Sequence, residues 1–221
     1  MSRRRILVTG ASKGIGKAVY ELLSGSEEYD VLAPPRDEMD LGSADSIDRY
    51  MREHGEIDIL VNNAGINLLR PVNAIDERSI SEMTAVNLEA PLRLITRVVA
   101  GMQRKRFGRI INISSIWGVR SKELRTLYSM TKFGLNGITK ALARELGPYN
   151  VLINSVCPGF TNTELTQQNL PPAEQDEIRK TIPLGRFAEP GEIARFIRFL
   201  ISEENTYLTG QVLVIDGGFL A

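Results

Sequence analysis

The 221-residue sequence has very little cysteine and histidine, which excludes several kinds of site. Its one cysteine, Cys157, can form neither an internal disulfide nor a thiolate metal site, and this usage favours a reducing, cytoplasmic setting. Its one histidine, His54, lies beside Gly55 at a predicted helix end and has no serine or acidic partner in a shared motif, which excludes a Ser-His-Asp hydrolase. No cluster of Cys, His and carboxylate residues has metal-ligand spacing, so we expect no metal.

An excess of charge of one sign is also lacking. The chain carries 27 Lys and Arg against 27 Asp and Glu, so we expect no nucleic-acid partner and no membrane partner. The basic start MSRRRILVTG has an apolar run of only Ile6 to Val8, which we interpret as a buried strand. No later stretch approaches the ~20 apolar residues of a membrane span.

What the sequence does contain is an alternation of short apolar runs and amphipathic helical stretches. The apolar runs occupy residues 5–9, 30–33, 58–62, 109–114, 151–156 and 211–215, and the helical stretches occupy residues 14–23, 43–53, 79–105, 126–146 and 190–201. This alternation predicts a single-domain, doubly wound parallel α/β sheet of the Rossmann type over residues 1–221. The continuously apolar runs RIINI and VLVI predict strands buried on both faces. A segment at about 160–188, rich in Thr, Gln, Asn and Pro, predicts a substrate-loop insertion with a short helix near residues 173–180.

A glycine motif, Gly10-Ala11-Ser12-Lys13-Gly14-Ile15-Gly16, lies between the first strand and the first helix. Glycine lets the backbone turn tightly and approach a ligand, and the N-terminus of the next helix offers free N–H groups to a pyrophosphate. The spacing G-x-x-x-G-x-G differs from the common dinucleotide fingerprint, so by itself it also fits glycines that serve only a tight turn.

A second motif, LYSMTKFG, places Tyr128 and Lys132 four residues apart on a predicted helix. Residues four apart lie on one face of a helix, so the phenol and the ammonium can share a site. Ser114 and Ser115 end the preceding strand and are candidates for the same site.

These motifs, together with several others, resemble those of the short-chain dehydrogenase/reductase family, and in particular its 3-oxoacyl-[acyl-carrier-protein] reductase-like members. The matching segments are residues 9–16, Asn62-Asn63-Ala64-Gly65, Asn87, Ser115, Tyr128-Ser129-Met130-Thr131-Lys132 and Pro158-Gly159. They occur in the family's order and at about its separations, so the resemblance covers essentially the whole chain. It implies an NAD(P)-dependent oxidoreductase that transfers hydride between a nicotinamide cofactor and a carbonyl or alcohol.

The resemblance also implies roles for four residues. Tyr128 would be the acid/base, and Lys132 would lower the pKa of Tyr128 and bind the nicotinamide ribose. Ser115 would hold the carbonyl oxygen, and Asn87 would hold a water in the proton relay. We prefer Ser115 to Ser114 because it precedes Gly118 by three residues and Tyr128 by 13, as the family pattern requires.

The cofactor-binding residues implied by the resemblance extend along most of the chain. They are Gly10, Ser12, Lys13, Gly14, Ile15, Gly16, Arg36, Asp40, Leu41, Asn63, Ala64, Gly65, Tyr128, Lys132, Pro158, Gly159, Thr161 and Thr163. NADP(H) is favoured over NAD(H), because Arg36 after the second strand and Lys13 in the glycine loop suit a 2′-phosphate. Asp37 leaves NAD open, since a one-residue shift would bring it to the ribose.

The chain departs from the family pattern after its second strand. Only six residues separate Ala33 from Asp40, and a parallel crossover needs about a dozen. We therefore predict that the family's helix after the second strand is missing. The sheet edge would be truncated, and the exposed adenosine pocket would be closed mainly by Arg36, Asp40 and Leu41.

The substrate is less well defined by the sequence. Arg120, Lys122 and Arg125 lie between the serine and the tyrosine, which suggests an anionic ketone or a 3-oxoacyl thioester, small or carrier-linked; solvated surface charges are the alternative. Trp117 either lines the substrate pocket or packs against the following loop. Two other functions stay open: a dehydrogenase of a sugar or small secondary alcohol, and a non-catalytic dinucleotide-binding redox sensor. The apolar face of the long helix predicts a homodimer or homotetramer and comprises Leu88, Leu92, Ile95, Val99 and Met102.

Overall fold

Six short runs rich in Ile, Leu and Val pair as one parallel sheet in a computed structural model that describes residues 3–221. The strands are β1 (Arg4–Val8), β2 (Tyr29–Leu32), β3 (Ile59–Asn62), β4 (Gly108–Ile113), β5 (Val151–Pro158) and β6 (Val212–Ile215). Their order in the sheet is β2-β1-β3-β4-β5-β6, and every pair is parallel. The predicted doubly wound parallel sheet is therefore confirmed.

Helices cover both faces of the sheet because successive strand residues point to opposite sides. The helices are α1 (Gly14–Ser24), α2 (Ala44–His54), α3 (Glu77–Thr84), α4 (Ala90–Lys105), α5 (Thr126–Leu146), α6 (Glu164–Asn169), α7 (Pro172–Thr181) and α8 (Pro190–Ile201). On one face Ile6 and Val8 pack with Val19 of α1 and Ile197 of α8. On the other face Leu7 packs with residues of α2 and α4. Within residues 3–221 no helix is long and apolar enough to cross a membrane.

The sheet ends early on the side of β2, as predicted from the short spacing after this strand. No further strand pairs with β2 in the described residues, and residues 33–43 form turns instead of a helix. The next helix, α2, is capped at its N-terminus by Ser43, whose Oγ accepts a hydrogen bond from the Ser46 N–H at 3.3 Å. It leads directly to β3, so the helix that the family places after the second strand is missing.

The sequence prediction is wrong for the other edge of the sheet. Each residue of β4 is buried, as RIINI predicted, but β6 is only partly covered, and Val214 is 41% exposed. β6 is an edge strand, so no strand of the described residues covers its outer side, however apolar its own residues are. The run VLVI therefore forms a strand without being buried on both faces.

The predicted long helix at 79–105 is one continuous helical stretch from Glu77 to Lys105, but its pitch changes within it. Residues Ala85–Glu89 form a π-helical segment between α3 and α4. Such a bulge adds a residue to the turn and redirects side chains, and it is frequent at functional sites. Here it contains Asn87, which is buried. The predicted insertion contains two helices, α6 and α7, and α7 extends one residue beyond each end of the predicted helix at 173–180.

Candidate active site

The residues singled out by the motifs lie at the carboxyl ends of four neighbouring strands, β1, β3, β4 and β5. The strand order reverses between β1 and β3, which are adjacent in the sheet although α1, β2 and α2 separate them in the chain. In open parallel sheets this reversal leaves a crevice where dinucleotides bind. The candidate site is therefore at the position that the fold itself favours.

Asn63 holds the glycine loop in place from the neighbouring strand. Its Nδ2 donates to the carbonyl oxygens of Thr9 at 2.9 Å and Gly10 at 3.0 Å. In return, Thr9 Oγ1 accepts from the N–H groups of Asn63 and Ala64, each at 3.0 Å. Gly10 has φ +67°, and a Cβ there would lie 2.8 Å from the Ala64 Cα, so a side chain would force the loops apart. Thr9 is a bracing residue that the sequence reasoning left without a role.

The N-terminus of α1 is suited to an anionic ligand. Its N-cap, Lys13, is extended and makes no capping hydrogen bond with its side chain, and the first turn contains no acidic residue. The N–H groups of this turn are therefore not satisfied by a side-chain cap, and the helix dipole favours negative charge there. Ser12 and Lys13 are exposed beside it. The free N–H groups of this turn and the close approach of Gly10 to the loop after β3 form a site that fits the pyrophosphate of a dinucleotide.

Tyr128 and Lys132 lie on the same face of α5, with the Lys132 Nζ 5.5 Å from the centre of the Tyr128 ring. Lys132 is buried, and its Nζ donates to the carbonyl oxygen of Ile113, the last residue of β4, at 2.7 Å. This bond holds the ammonium at the end of the strand from which Ser115 follows. The structure thus brings the strand end and the tyrosine helix together as the spacing predicted.

Burial dominates the electrostatics of this pair. It lowers the pKa of Lys132 to about 8, and it raises the pKa of Tyr128 above its ordinary value. The Ser115 hydroxyl and the charge of Arg125 act on Tyr128 in the opposite direction but do not overcome burial. At neutral pH Tyr128 therefore carries its proton. The lowering of the pKa of Tyr128 by Lys132 stays a prediction.

The two adjacent serines have different surroundings. Ser114 Oγ donates to the Lys132 carbonyl oxygen at 3.2 Å, whereas Ser115 Oγ accepts from the Trp117 N–H at 3.2 Å as the N-cap of a short 3₁₀ helix, Ile116–Gly118. A hydroxyl that accepts in this way keeps its proton available to a ligand. Gly118 packs so closely that a Cβ would lie 2.6 Å from Ser114 Oγ. Ser114 is thus committed to packing, and Ser115 is the serine that can donate.

Asn87 lies beside the same lysine but is occupied by the protein backbone. Its side-chain amide hydrogen-bonds the backbone N–H and the carbonyl oxygen of Ile66, and its Nδ2 also donates to Thr131 Oγ1 at 3.3 Å. A Cβ built at Gly65 would lie 3.4 Å from Asn87 Oδ1 and 3.5 Å from Lys132 Nζ, so these three residues adjoin. The side chain of Asn87 thus positions the loop after β3.

The remaining predicted cofactor residues are grouped at two edges of the crevice. Beyond β2, the Arg36 side chain is 86% exposed and pairs with Asp40 at 3.5 Å, while Leu41 packs against the core. Beyond β5, Gly159 follows Pro158, and the Thr161 hydroxyl donates to the Gly159 carbonyl oxygen at 3.3 Å. Thr163 caps α6 by accepting from the Thr166 N–H, and its Cγ2 lies 3.2 Å from where a Cβ on Gly14 would be. The segment after β5 therefore closes against the glycine loop.

An aromatic cluster that was not predicted from the sequence packs the segment after β5 against the site. Trp117 meets Phe160 and Phe219 edge-on, with ring centres 6.2 Å apart in both cases, and Phe160 stacks on Phe187 at 5.4 Å. Trp117 is buried, and Lys122 and Arg125 of the following loop lie 5.9 and 5.6 Å from the centre of its ring, which supports the interpretation that it packs against this loop. The aromatic residues are far apart in sequence, and only a three-dimensional arrangement reveals the cluster.

The three cations between the serine and the tyrosine are not equivalent. Arg120 and Lys122 are exposed, and Lys122 lies 3.9 Å from Glu123. Arg125 is only 5% exposed, and its guanidinium lies 5.6 Å from the centre of the Trp117 ring. The idea of solvated surface charges therefore holds for Arg120 and Lys122 but not for Arg125.

Two other residues have no part in the site. His54 bonds the Tyr50 carbonyl oxygen through Nδ1 at 2.9 Å and stacks on the Tyr50 ring at the end of α2. Cys157 is buried within β5, and burial raises the pKa of its thiol. In the part of the chain that the structure describes, no group of three or more His, Cys, Asp and Glu residues could hold a metal ion.

A doubly wound sheet with a glycine loop, a Tyr–Lys pair on one helix face and a serine beside it at the switch point is typical of a dinucleotide-dependent oxidoreductase. Residues 35–220 match the family model described as enoyl-(acyl carrier protein) reductase. The 3-oxoacyl-[acyl-carrier-protein] reductase FabG of Thermotoga maritima is 35% identical over 97% of this chain and 96% of its own length. The protein of the same name from Vibrio cholerae is 38% identical over 96% and 95%. Among solved structures, a 4-hydroxyisoleucine dehydrogenase complexed with NADH superposes with a TM-score of 0.91 at 30% identity, over 98% of both chains.

The chain belongs to the short-chain dehydrogenase/reductase family, as the motifs indicated. It is an NAD(P)-dependent oxidoreductase with a nicotinamide cofactor.

Proposed function

We propose that this protein reduces the ketone of a 3-oxoacyl substrate with NADPH, with Tyr128 as the acid that protonates the ketone oxygen. The observation that carries the proposal is the pairing of Tyr128 with the buried Lys132 on one face of α5, beside Ser115 after the end of β4. The similarity to the 3-oxoacyl-[acyl-carrier-protein] reductases of Thermotoga maritima and Vibrio cholerae supports a 3-oxoacyl group as the substrate.

Each residue has a role that follows from its surroundings. The Ser115 hydroxyl, which accepts from Trp117, donates its proton in a hydrogen bond to the ketone oxygen. Tyr128 transfers its phenolic proton to this oxygen as the oxygen gains negative charge. Lys132, held by the Ile113 carbonyl oxygen, binds the ribose and stabilises the tyrosinate that remains. A bound nicotinamide supplies the hydride.

The protonation state of Tyr128 suits the reductive direction. Burial raises its pKa, so the phenol is a proton donor at neutral pH, whereas alcohol oxidation would need the tyrosinate. Asn87 acts in the proton relay indirectly, by fixing the loop after β3. Its amide is hydrogen-bonded to Ile66, and a water of the relay would lie beside Gly65 and Lys132.

Arg36 and Lys13 support NADPH as the preferred cofactor. Both side chains are exposed at the rim of the crevice, and residues 33–43 contain no helix that would screen Arg36. A guanidinium recognises a 2′-phosphate with two parallel hydrogen bonds. The solved relative with NADH shows that the same fold also accepts the cofactor without this phosphate.

The assembly we propose is a homodimer or homotetramer built on α4 and α5. Ile95 and Met102 are buried in the core, but Leu92, Phe133 and Tyr149 are exposed on these helices and the turn that follows. A groove of ≈ 320 Å³ between the two helices includes Leu92 and Tyr149 among its lining residues. An apolar surface of this kind favours self-association. We place this assembly in the reducing cytoplasm, which suits a chain with one buried cysteine.

The test is oxidation of NADPH and of NADH, followed at 340 nm, across ketones that include 3-oxoacyl thioesters, keto acids, keto sugars and simple ketones. We expect turnover with NADPH and a 3-oxoacyl compound, and a loss of about 10²- to 10⁴-fold in Tyr128→Phe. This variant keeps the ring and the fold, and its cofactor affinity should match that of the wild type. Cofactor binding without any turnover would favour the redox-sensor alternative.

A further inference from the structure

Arg125 is a buried positive charge without a partner. Within residues 3–221 its side chain makes no hydrogen bond and no ion pair, and its Nε is shut off from solvent without a hydrogen-bond acceptor. The face of Trp117, whose centre lies 5.6 Å from the guanidinium, compensates part of the charge. Burial lowers the pKa of Arg125, but a guanidinium still keeps its proton. A buried, unpaired arginine is costly, and proteins retain such groups where a ligand completes them.

The place of Arg125 connects it to the chemistry. It is the N-cap of α5 and precedes Tyr128 by three residues, so both residues lie at the first turn of this helix. The electrostatic coupling of the two groups agrees with this, since the charge of Arg125 lowers the pKa of Tyr128. The chain enters the turn through Leu124, which has φ +63°, a left-handed conformation that is uncommon for leucine.

A second arginine flanks this turn. The Arg70 N–H donates to the Leu124 carbonyl oxygen at 3.3 Å, and Arg70 Nε is also buried without a hydrogen-bond partner. Arg70 helps to lower the pKa of Asp76, however, so part of its charge acts away from Tyr128. Arg125 has no such carboxylate and is the residue on which the inference rests.

We infer that Arg125 binds a carboxylate of the substrate a few bonds from the reacting ketone, which makes the preferred substrate a keto acid. This inference rests on the proposed function, since it assumes that the ketone is reduced at Tyr128. The side chains of residues three apart on a helix are neighbours, so an anion on Arg125 and an oxygen on Tyr128 belong to the same small molecule. A phosphate at the far end of a carrier arm would lie beyond this reach. The guanidinium fork matches a carboxylate by two parallel hydrogen bonds.

Two compounds with the same ketone separate the possibilities. In 3-oxobutanoate the group at C1 is a carboxylate, and in its N-acetylcysteamine thioester the same carbon is neutral. For the wild type we expect a higher kcat/KM with the acid. In Arg125→Gln the ratio of kcat/KM for the acid to that for the thioester should fall about 10- to 100-fold, and in Arg125→Lys it should fall less. Because this is a ratio of two substrates on one sample, partial unfolding of a variant does not alter it. Arg120→Gln, on the exposed part of the same segment, is the matched control and should keep the wild-type ratio.

Binding gives a readout that does not require turnover. Trp117 is the one tryptophan of the chain and contacts Arg125, so tryptophan fluorescence reports on this subsite. The protein saturated with oxidised cofactor is titrated with 3-oxobutanoate, and the dissociation constant should rise about 10- to 100-fold in Arg125→Gln only. An unchanged ratio and an unchanged dissociation constant in this variant would overturn the inference. If the thioester is reduced and the acid neither binds nor reacts, the inference fails while the proposed function stands. If neither ketone is reduced, the proposed function fails. The titration with 3-oxobutanoate then tests the carboxylate site by itself: weaker binding in Arg125→Gln supports it, and unchanged binding overturns it.

Discussion

The side-chain amide of Asn87 hydrogen-bonds both backbone polar groups of Ile66: Oδ1 accepts from the N–H at 2.8 Å, and Nδ2 donates to the carbonyl oxygen at 2.8 Å. Asn87 stands in the π-helical segment, where the widened turn directs this amide toward the loop after β3. The residue before Ile66 is Gly65, which adjoins Lys132 Nζ. The pair therefore fixes one wall of the crevice next to the lysine that we propose to bind the ribose.

Replacing Asn87 by Ala should weaken both the fold and the cofactor site. Two partly buried backbone groups lose their partner, so we expect a loss of about 1 to 3 kcal/mol in the free energy of unfolding, measured by urea denaturation. The dissociation constant of NADPH, measured by its fluorescence, should rise because the loop after β3 is no longer fixed. Thr131→Val is the control, since it removes the 3.3 Å bond to Asn87 but leaves both Ile66 bonds. Unchanged NADPH affinity in Asn87→Ala would show that the loop keeps its position without this amide.

The two adjacent serines offer a matched pair of variants. Ser115→Ala should reduce kcat by about 10- to 10³-fold, because it removes the donor to the ketone oxygen. Ser114→Ala should leave kcat within about threefold but lower the free energy of unfolding by about 1 kcal/mol, because Ser114 bonds the Lys132 carbonyl oxygen. Turnover at 340 nm and thermal unfolding, measured on the same samples, separate the two effects. If Ser114→Ala lost more turnover than Ser115→Ala, the assignment of the two serines would have to be exchanged.

The layers of the fold and the place of the site could be predicted from the sequence because both depend on local patterns. Apolar runs alternating with amphipathic stretches require a covered parallel sheet, and the residues that follow each strand then meet at one edge. The six residues between Ala33 and Asp40 excluded a crossover helix by length alone. Local apolarity could not distinguish β4 from β6, since burial of a strand depends on neighbours that the run itself does not encode.

Other features depend on contacts between distant residues. The bracing of Gly10 by Asn63, and the cluster of Trp117 with Phe160 and Phe219, join segments that no short motif connects. The π-helical segment leaves no break in the apolar period of the long helix, so it was not predicted. Burial is also what separates Arg125 from Arg120, although both are arginines of one polar segment.

Cofactor preference can be tested at the end of β2. Arg36→Ala should raise the dissociation constant of NADPH about tenfold, because the 2′-phosphate loses a charged hydrogen-bond donor, and should leave NADH binding within about twofold. Asp37→Ala is the informative partner, since Asp37 is the carboxylate that could hold the ribose of NAD. Binding of both cofactors is measured by their fluorescence for each variant. If Asp37→Ala weakened NADH more than Arg36→Ala weakened NADPH, the protein would be assigned to NAD.

Because its ammonium is buried, Lys132 should make the free energy of unfolding rise with pH, and Lys132→Met should remove this contribution. Burial lowers its pKa from 10.5 to about 8 in the folded chain, so between these values the unfolded chain holds more protons than the folded one. The free energy of unfolding of the wild type should therefore rise by up to about 3 kcal/mol because of this group as the pH rises from 8 to 10.5. Below pH 8 the buried lysine is charged, and its full destabilising effect is present.

Lys132→Met lacks this titration but also loses the bond to the Ile113 carbonyl oxygen, which contributes about 1 kcal/mol. We expect the variant to be more stable than the wild type by about 1 to 2 kcal/mol at pH 7 and no more stable at pH 10.5, while its turnover is lost. Urea unfolding of the cofactor-free proteins at both pH values measures the difference. Lys140→Met, an exposed position on the same helix, is the control and should show the wild-type dependence. A Lys132→Met variant less stable than the wild type by the same amount at both pH values would mean that folding does not lower the pKa of Lys132, because its charge is fully compensated in the folded protein.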